Sequence, residues 1–376
     1  MYSTLGMQDG ENRTFFIEGR AFNAKNPLVI AELGTSHRGD PARAREMVEA
    51  AAEAGADCAK FQMVFADEIL HPNTGEVPLP GGMTRLYDVF RRLEAPIEFY
   101  AEIKERVESL GMMFLCTPFG LKSAGLLRGL RPKAVKIASP ELNFAGLLRE
   151  IAEWNLPVFL STGVSRLGDI EEALATLNEN VCVLHCVTAY PAPEEDYNLK
   201  VLRSLASVFG APAGVSDHSA DPELVPALAV AQGATAVEKH FCLSREDPGL
   251  DDPIALPPRE FARMTRAVRQ AAAAGPQETL ARLRRERGDA KVEVVLGDGA
   301  KRLAPSEREN YSRTNRSLHA LRDIHPGETI EAGDIAVLRT EKILRPGLPP
   351  SWAGMIPGRT ARRFIPAGEG VRFEDV

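Results

Sequence analysis

Between Leu28 and Gln270, short apolar runs alternate eight times with helical stretches, and nearly every run ends in a polar or charged residue. The runs are LVIAELG from Leu28, CAKFQMV from Cys58, MMFLCTP from Met112 and AVKIAS from Ala134, then PVFLSTG from Pro157, VCVLHCVTAY from Val181, PAGVSDHS from Pro212 and ATAVEKHF from Ala234. Eight strand–helix units predict an α/β fold, a (β/α)8 barrel whose strand C-termini share one rim, where active sites of this architecture sit. That rim would gather Glu32, Lys60, Gln62, Thr117, Lys136, Ser139, Ser161, Tyr190, Ser216, His218, Glu238 and His240.

Helix signals agree with this frame. Asp40-Pro41 offers an N-cap and a first-turn proline, Gly55 stands where the helix should stop, and Ala44, Met47, Val48 and Ala51 recur on one face. Asp221-Pro222 opens a second such helix, closed by Gly233. The even spacing breaks after the second strand, where Phe65 to Pro96 form an insertion containing HPNTGEVPLPGG, expected as a lid or substrate wall. Residues 1–275 are assigned to the barrel. Residues 276–312, rich in Arg, Glu, Gly and Pro with the basic run ARLRRERG, read as a linker that can carry a short helix. Residues 313–376 read as a small β-rich module with a weak internal repeat, Ile324-His325-Pro326-Gly327-Glu328 resembling Ile365-Pro366-Ala367-Gly368-Glu369. About 60 residues is near the lower limit for an independent core, so this module is expected to dock.

Composition narrows the function classes. Hydrophobic content of 44% and charged content of 26% are those of an ordinary globular protein, and a net charge of −7 with no basic stripe argues against nucleic acid. No apolar run approaches the roughly 20 residues needed to span a bilayer, and MYSTLGMQDGENRTFF lacks the pattern of a signal peptide, so a cytoplasmic protein is expected. The five cysteines mostly fall inside strands without metal-ligand spacing and read as small buried residues.

The chemistry concentrates at strand ends. His218 and His240 end neighbouring strands and can share a divalent metal, against the plainer reading of two ordinary hydrogen-bonded histidines. Glu32, on the adjacent first strand, is a third ligand, a general base or a structural carboxylate. Lys60 and Lys136 sit within apolar runs, where a lysine is costly unless it meets an anion. With Thr117, Ser139, Ser161 and Ser216 they suit a phosphate or carboxylate; a Schiff-base lysine and outward-facing lysines are the alternatives. Asp251 and Asp252 either cap a loop or hold sugar hydroxyls, and Glu194, Glu195 and Asp196 read as a solvated turn. There is no Walker loop and no Rossmann fingerprint between a strand and a helix.

The strings IAELGTSHRGD, AGADCAKFQ, CTPF, VKIASPE, LSTGV, HCVTAYPAPEEDYNL, GVSDHS, VEKHF and RSLHALRDIHPGETI, in this order, resemble the N-acetylneuraminate (sialic acid) synthase family over roughly residues 15 to 376. These nonulosonic acid synthases join a barrel to an antifreeze-like (SAF) domain. The resemblance implies condensation of phosphoenolpyruvate with an open-chain N-acylated amino sugar, releasing phosphate. It implies a divalent ion, Mn²⁺ first with Mg²⁺ or Co²⁺ as others, on His218 and His240. It implies phosphoenolpyruvate contacts at Lys60, Thr117, Lys136, Ser139, Ser161 and Ser216, and sugar contacts at Gln62, Tyr190 and Asp251. Glu32 would lie near the metal and aldehyde, and Glu238 joins it and the lysines as a candidate catalytic residue. A homodimer is implied, with the SAF domain of one subunit over the partner barrel and Arg345 as the arginine that reaches it.

Three positions differ from the family pattern. Ser36-His37-Arg38-Gly39 replaces NHNG, Thr188 stands where a phosphate-contacting asparagine is common, and Pro80-Gly81-Gly82 falls where an asparagine touches N-acetylmannosamine. CVTAYPAP is closer to the pseudaminic and spore-coat branches. Two other readings remain at this stage: a barrel synthase acting on a phosphorylated sugar, and an inactive sugar-binding or assembly protein of polysaccharide biosynthesis.

Overall fold

The computed structural model describes residues 14–79, 82–341 and 343–376; the expectations for the first 13 residues and for Pro80-Gly81 lie outside them. Eight parallel strands form the barrel: β1 Leu28–Gly34, β2 Cys58–Met63, β3 Met113–Pro118, β4 Val135–Ile137, β5 Val158–Ser161, β6 Val181–Cys186, β7 Ala213–Asp217 and β8 Ala236–His240. Consecutive strands pair in sequence order from β4 to β8, β8 returns to pair with β1, and β3 lies beside β4 to close the cylinder. All but β1 are shorter than their apolar runs, and two of the early ends have a clear cause. β4 stops before Ser139-Pro140, which opens a 3-10 turn where proline has no N–H to give a ladder. β6 stops at Cys186, because the Val187 carbonyl turns away to His218 Nδ1 at 2.9 Å.

Side chains alternate across each strand, and this sets the interior. Val29, Ala31, Ala59, Phe61, Val135, Ile137, Val158 and Leu160 point outward into one core shared with the helices. Leu28, Ile30, Cys58, Leu115, Phe159, Leu184 and Ala236 point inward and fill the lower barrel. A hairpin of Phe15–Ile17 and Arg20–Phe22 plugs this floor, with the Phe15 ring edge-on to Phe159 at 4.8 Å. One step further up the same inward positions become Glu32, Lys60, Lys136, Ser161, Ser216 and Glu238, all buried. The helix Pro41–Glu53 forms as its sequence predicts: the Asp40 carboxylate accepts from Ala42 N at 2.8 Å, and Ala44, Met47, Val48 and Ala51 are its buried face.

The insertion after β2 is a short helix Ala66–Ile69, a hairpin of Glu76–Leu79 with Gly82–Arg85, and a helix Leu86–Arg92. The stretch expected as a linker is mostly helical instead. Helices Pro276–Arg287 and Asp289–Leu296 bury Leu283, Val292, Val295 and Leu296 in the barrel's outer core, while the basic run faces solvent and pairs with acids such as Glu293 and Asp221. Only residues 297–312 form an irregular connection. Among the described residues, no helix is long and apolar enough to cross a membrane.

The C-terminal module pairs β9 Arg316–Ala320 with β10 Ile335–Arg339, antiparallel. The internal repeat has a structural meaning. Its two copies face each other as a bridge, Ile324 N donating to Ile365 O and Ile365 N to Ile324 O, each at 2.9 Å, and both isoleucines are fully buried.

In the single chain the module sits on that chain's own barrel. Arg316, whose side chain is wholly buried, donates through Nε and Nη2 to Glu141 at 3.1 and 2.9 Å and also to the carbonyls of Glu68 and Phe119. Arg339 approaches the same carboxylate at 2.7 Å. Asn143 exchanges two hydrogen bonds with the Arg316 backbone, and Asn73 donates to Ala367 O at 3.0 Å. Breaking such an ion pair from one side leaves charge stranded, at about 3–5 kcal/mol. Glu141→Ala is therefore expected to lower the unfolding midpoint and to open residues 297–312 to limited proteolysis; an unchanged melt and digestion pattern would contradict this docking.

Candidate active site

Strand register brings the charged layer together. Glu32 lies opposite Lys60 on β2 and opposite His240 on β8, and Ser216 on β7 lies opposite Glu238. Lys60 Nζ is 2.7 Å from Glu32 Oε2 and 3.5 Å from both Glu238 Oε1 and Thr117 Oγ1. Lys136 Nζ is 3.6 Å from Glu238 Oε1, which also accepts from Ser216 Oγ at 3.0 Å. Gln62 Nε2 donates to the other oxygen of Glu32 at 2.6 Å. Glu32 is thus engaged by Lys60 and Gln62 while lying opposite His240.

Burial and pairing compete for each charge. Burial alone would discharge Lys60, but Glu238 and Glu32 outweigh it and raise its pKa above the ordinary lysine value. For Lys136, burial, reinforced by the Lys60 charge, outweighs Glu238 and the shift is downward. Burial pushes Glu238 up, yet Lys136 and Lys60 together hold it down at about 2.

On the β6–β8 side, the His218 and His240 rings lie 5.3 Å apart at a tilt, with Tyr190 stacked on His218 at 4.3 Å. His218 Nδ1 donates to the Val187 carbonyl at 2.9 Å, so Nε2 is the nitrogen left for an ion, which would have to displace the second proton of the charged ring. Burial opposes charge on His218, but Cys186 beside it raises its pKa to about 9; burial and the His218 charge hold His240 down at about 3. Asp251 Oδ2 is 3.7 Å from His240 Nδ1. Among the described residues no three His, Cys, Asp or Glu side chains cluster as a metal cage. Two imidazoles can hold an ion only with its other positions open.

A third group surrounds the ends of β4, β5 and β6. Ser139 Oγ accepts from Gly163 N at 2.9 Å. Ser161 Oγ, Thr188 Oγ1 and Glu238 Oε2 are buried without a hydrogen-bond partner among the described residues. Buried polar atoms are normally paired, so a cluster of orphans marks a place for a polar ligand. Asp252, by contrast, is spoken for by Ser36 Oγ and Gly249 N and serves as a loop cap. Glu194–Asp196 is a short 3-10 turn in which Glu195 is exposed, while Glu194 pairs with Lys291 and Asp196 accepts from Ser306 N.

Within the single chain Arg345 stays inside its own module and does not reach its own barrel's mouth. Its guanidinium pairs with Asp375 at 2.6 Å and donates to Gly370 O at 3.0 Å inside its own module, so its charge is satisfied locally. Arg316 and Arg339 of this module do face the barrel. They, Glu141 and Glu307 escaped the sequence reading, since nothing local singles any of them out.

A model of the NeuB family matches residues 47–279, and one of the SAF domain matches residues 315–376. The N,N'-diacetyllegionaminic acid synthase of Campylobacter jejuni is 34% identical over 84% of this chain and 91% of its own length. The spore coat polysaccharide biosynthesis protein SpsE of Bacillus subtilis is 34% identical over 93% of both chains; its crystal structure superposes with a TM-score of 0.80, covering 97% of this chain and 99% of that one. The N-acetylneuraminic acid (sialic acid) synthetase of Leptospira borgpetersenii, solved with citrate, gives a TM-score of 0.64 at 28% identity over 80% of this chain and 95% of that one. On the family match and these similarities along nearly the whole length, the chain belongs to the NeuB family.

Proposed function

We propose that the protein condenses phosphoenolpyruvate with the open-chain form of an N-acylated hexosamine and water, giving a nonulosonic acid and phosphate. The observation that carries this reading is the layer in which two buried lysines border unpartnered serine and threonine hydroxyls. It suits a small, multiply charged anion. Lys60, Lys136, Thr117 and Ser216 would take its carboxylate end, and Ser139, Ser161 and Thr188 its phosphate. Gln62, Tyr190 and Asp251, nearer the mouth, would take the sugar. The unphosphorylated sugar is preferred because Arg316 and Arg339, which face the barrel, are already bound to Glu141.

The chemistry follows from these placements. C3 of phosphoenolpyruvate attacks the aldehyde carbon, forming the new C–C bond and leaving a cationic centre at C2. Glu238, ionised and central in the layer, stabilises that centre while water adds to it. Glu32, at the aldehyde side, takes the proton released by the water and delivers it to the new alkoxide, ending as the carboxylate it began as. The tetrahedral intermediate then collapses to the C2 ketone as phosphate leaves. Since Lys60 stays an ammonium, it acts by charge rather than as a Schiff base. His218 and His240 fit a divalent ion, manganese first and magnesium or cobalt otherwise, which when bound supplies Lewis-acid polarisation of the aldehyde.

Phosphate release from phosphoenolpyruvate, screened with N-acylated hexosamines and their phosphate esters, tests the reading; the free sugars are expected to turn over, and turnover confined to esters would replace it with the phosphorylated-sugar reaction. Sedimentation tests the implied homodimer. Both His218→Ala and His240→Ala are expected to abolish metal-dependent turnover and to weaken manganese binding in calorimetry, and full retention by either would remove that imidazole from the metal site. Ser161→Ala removes a hydroxyl that has no hydrogen-bond partner among the described residues, so stability should hold while kcat falls about a hundredfold.

Acid stability should report Glu238. Its folded pKa of about 2 lies below the ordinary 4.5, so its contribution is complete above the ordinary value and fades as pH falls through about 2. Thermal melts across that window should decline for the wild type. The Glu238→Gln variant should start lower at neutral pH and decline less; parallel curves would argue against the pairing.

A further inference from the structure

The connection between barrel and module makes a contact that its composition does not announce. Glu307, in the 3-10 turn Pro305–Glu307, is 1% exposed. Its Oε1 accepts from Val164 N at 2.7 Å and from Thr188 N at 2.8 Å, and its Oε2 accepts from Ala304 N at 3.1 Å. One carboxylate oxygen therefore ties the loop after β5 to the loop after β6, across the site of the orphan hydroxyls.

The loop it grips is strained. Val164 has φ of +41°, a left-handed conformation that a β-branched residue rarely adopts and that persists only where surroundings enforce it. The enforcement comes from the connection on both sides of this residue. Glu307 takes the Val164 N–H, Asn315 Nδ2 donates to the Val164 carbonyl at 3.1 Å, and Lys301 Nζ donates to the preceding Thr162 carbonyl at 2.8 Å. Between them Gly163 donates to Ser139 Oγ, and a Cβ added there would lie 2.1 Å from Thr188 Oγ1. The strained turn thus presses directly on two hydroxyls of the anion-binding layer.

We propose that Glu307 is a positioning residue: with Asn315 it holds the Val164 peptide in its left-handed turn, and so sets Ser139, Ser161 and Thr188 to receive the phosphate of phosphoenolpyruvate. This rests on the function proposed above and adds that the connection to the C-terminal module, rather than the barrel alone, shapes the phosphate subsite. The carboxylate touches no substrate. Its charge is met by three backbone N–H groups, and it works through the two loops it joins.

The test compares Glu307→Ala, Glu307→Gln and Glu307→Asp in the full chain. Loss of a charged acceptor holding two donors should raise KM for phosphoenolpyruvate about tenfold or more in Glu307→Ala, with KM for the sugar within about twofold. Glu307→Gln keeps an oxygen for the same two N–H groups and should recover most of that loss. Glu307→Asp keeps the charge but shortens the reach, and should lie between; it decides the matter should the alanine variant fail to fold. The proposal is overturned if KM for phosphoenolpyruvate stays at the wild-type value in the alanine or aspartate variant, or if both KM values and the melting temperature move together without recovery in Glu307→Gln. Wild-type protein that neither binds nor consumes phosphoenolpyruvate would overturn the proposed function itself, and an active wild type with indifferent variants would overturn this inference alone.

Discussion

Four charged side chains buried in one layer of a closed barrel govern everything else in this molecule. Glu32, Lys60, Lys136 and Glu238 are each at most 5% exposed, and none would be tolerable there alone. Together they balance in charge, two against two, with Gln62, Thr117 and Ser216 supplying the neutral contacts around them. The balance is incomplete by design of the pairing. Lys60 faces two carboxylates whereas Lys136 faces one at 3.6 Å, so one cation is firmly held and the other is loosely compensated. For the anion proposed above, this would leave one cation preset and the other available, with little reorganisation to drive.

That layer exists because of a two-residue period. In β1, Leu28 and Ile30 belong to the apolar floor and Glu32 to the charged tier, while Val29, Ala31 and Leu33 face the helices. In β8, Ala236, Glu238 and His240 repeat the rise from apolar to ionised. A sequence in which each apolar run ends in polar residues therefore already contains the vertical section of the barrel, and this is why the strands, the inward lysines and the neighbouring histidines are legible in the sequence itself. The Asp40 cap and the repeated Ile324 and Ile365 turns were equally legible, because each signal is local.

What could not be read lies in contacts between distant segments. Glu141 looks like any glutamate in a turn after a strand, and only docking brings Arg316 and Arg339 onto it. Glu307 follows a proline in a polar stretch and resembles a solvated acid until the chain returns it to Val164. Arg345 and Arg316 belong to the same small module, and motif similarity alone does not say which one finds its carboxylate at home and which finds it on the barrel. Val164 itself gives no warning: valine is among the residues least suited to a left-handed turn, so the sequence argues against the conformation that the fold imposes.

The hairpin at residues 15–22 has a consequence for traffic. By wedging Phe15 against Phe159 it turns an open tube into a one-ended vessel, so nothing can drain through the base. A ligand of the charged tier would therefore have to come and go at the opposite end, where the strands finish, and one that lodged deepest would be the last to leave.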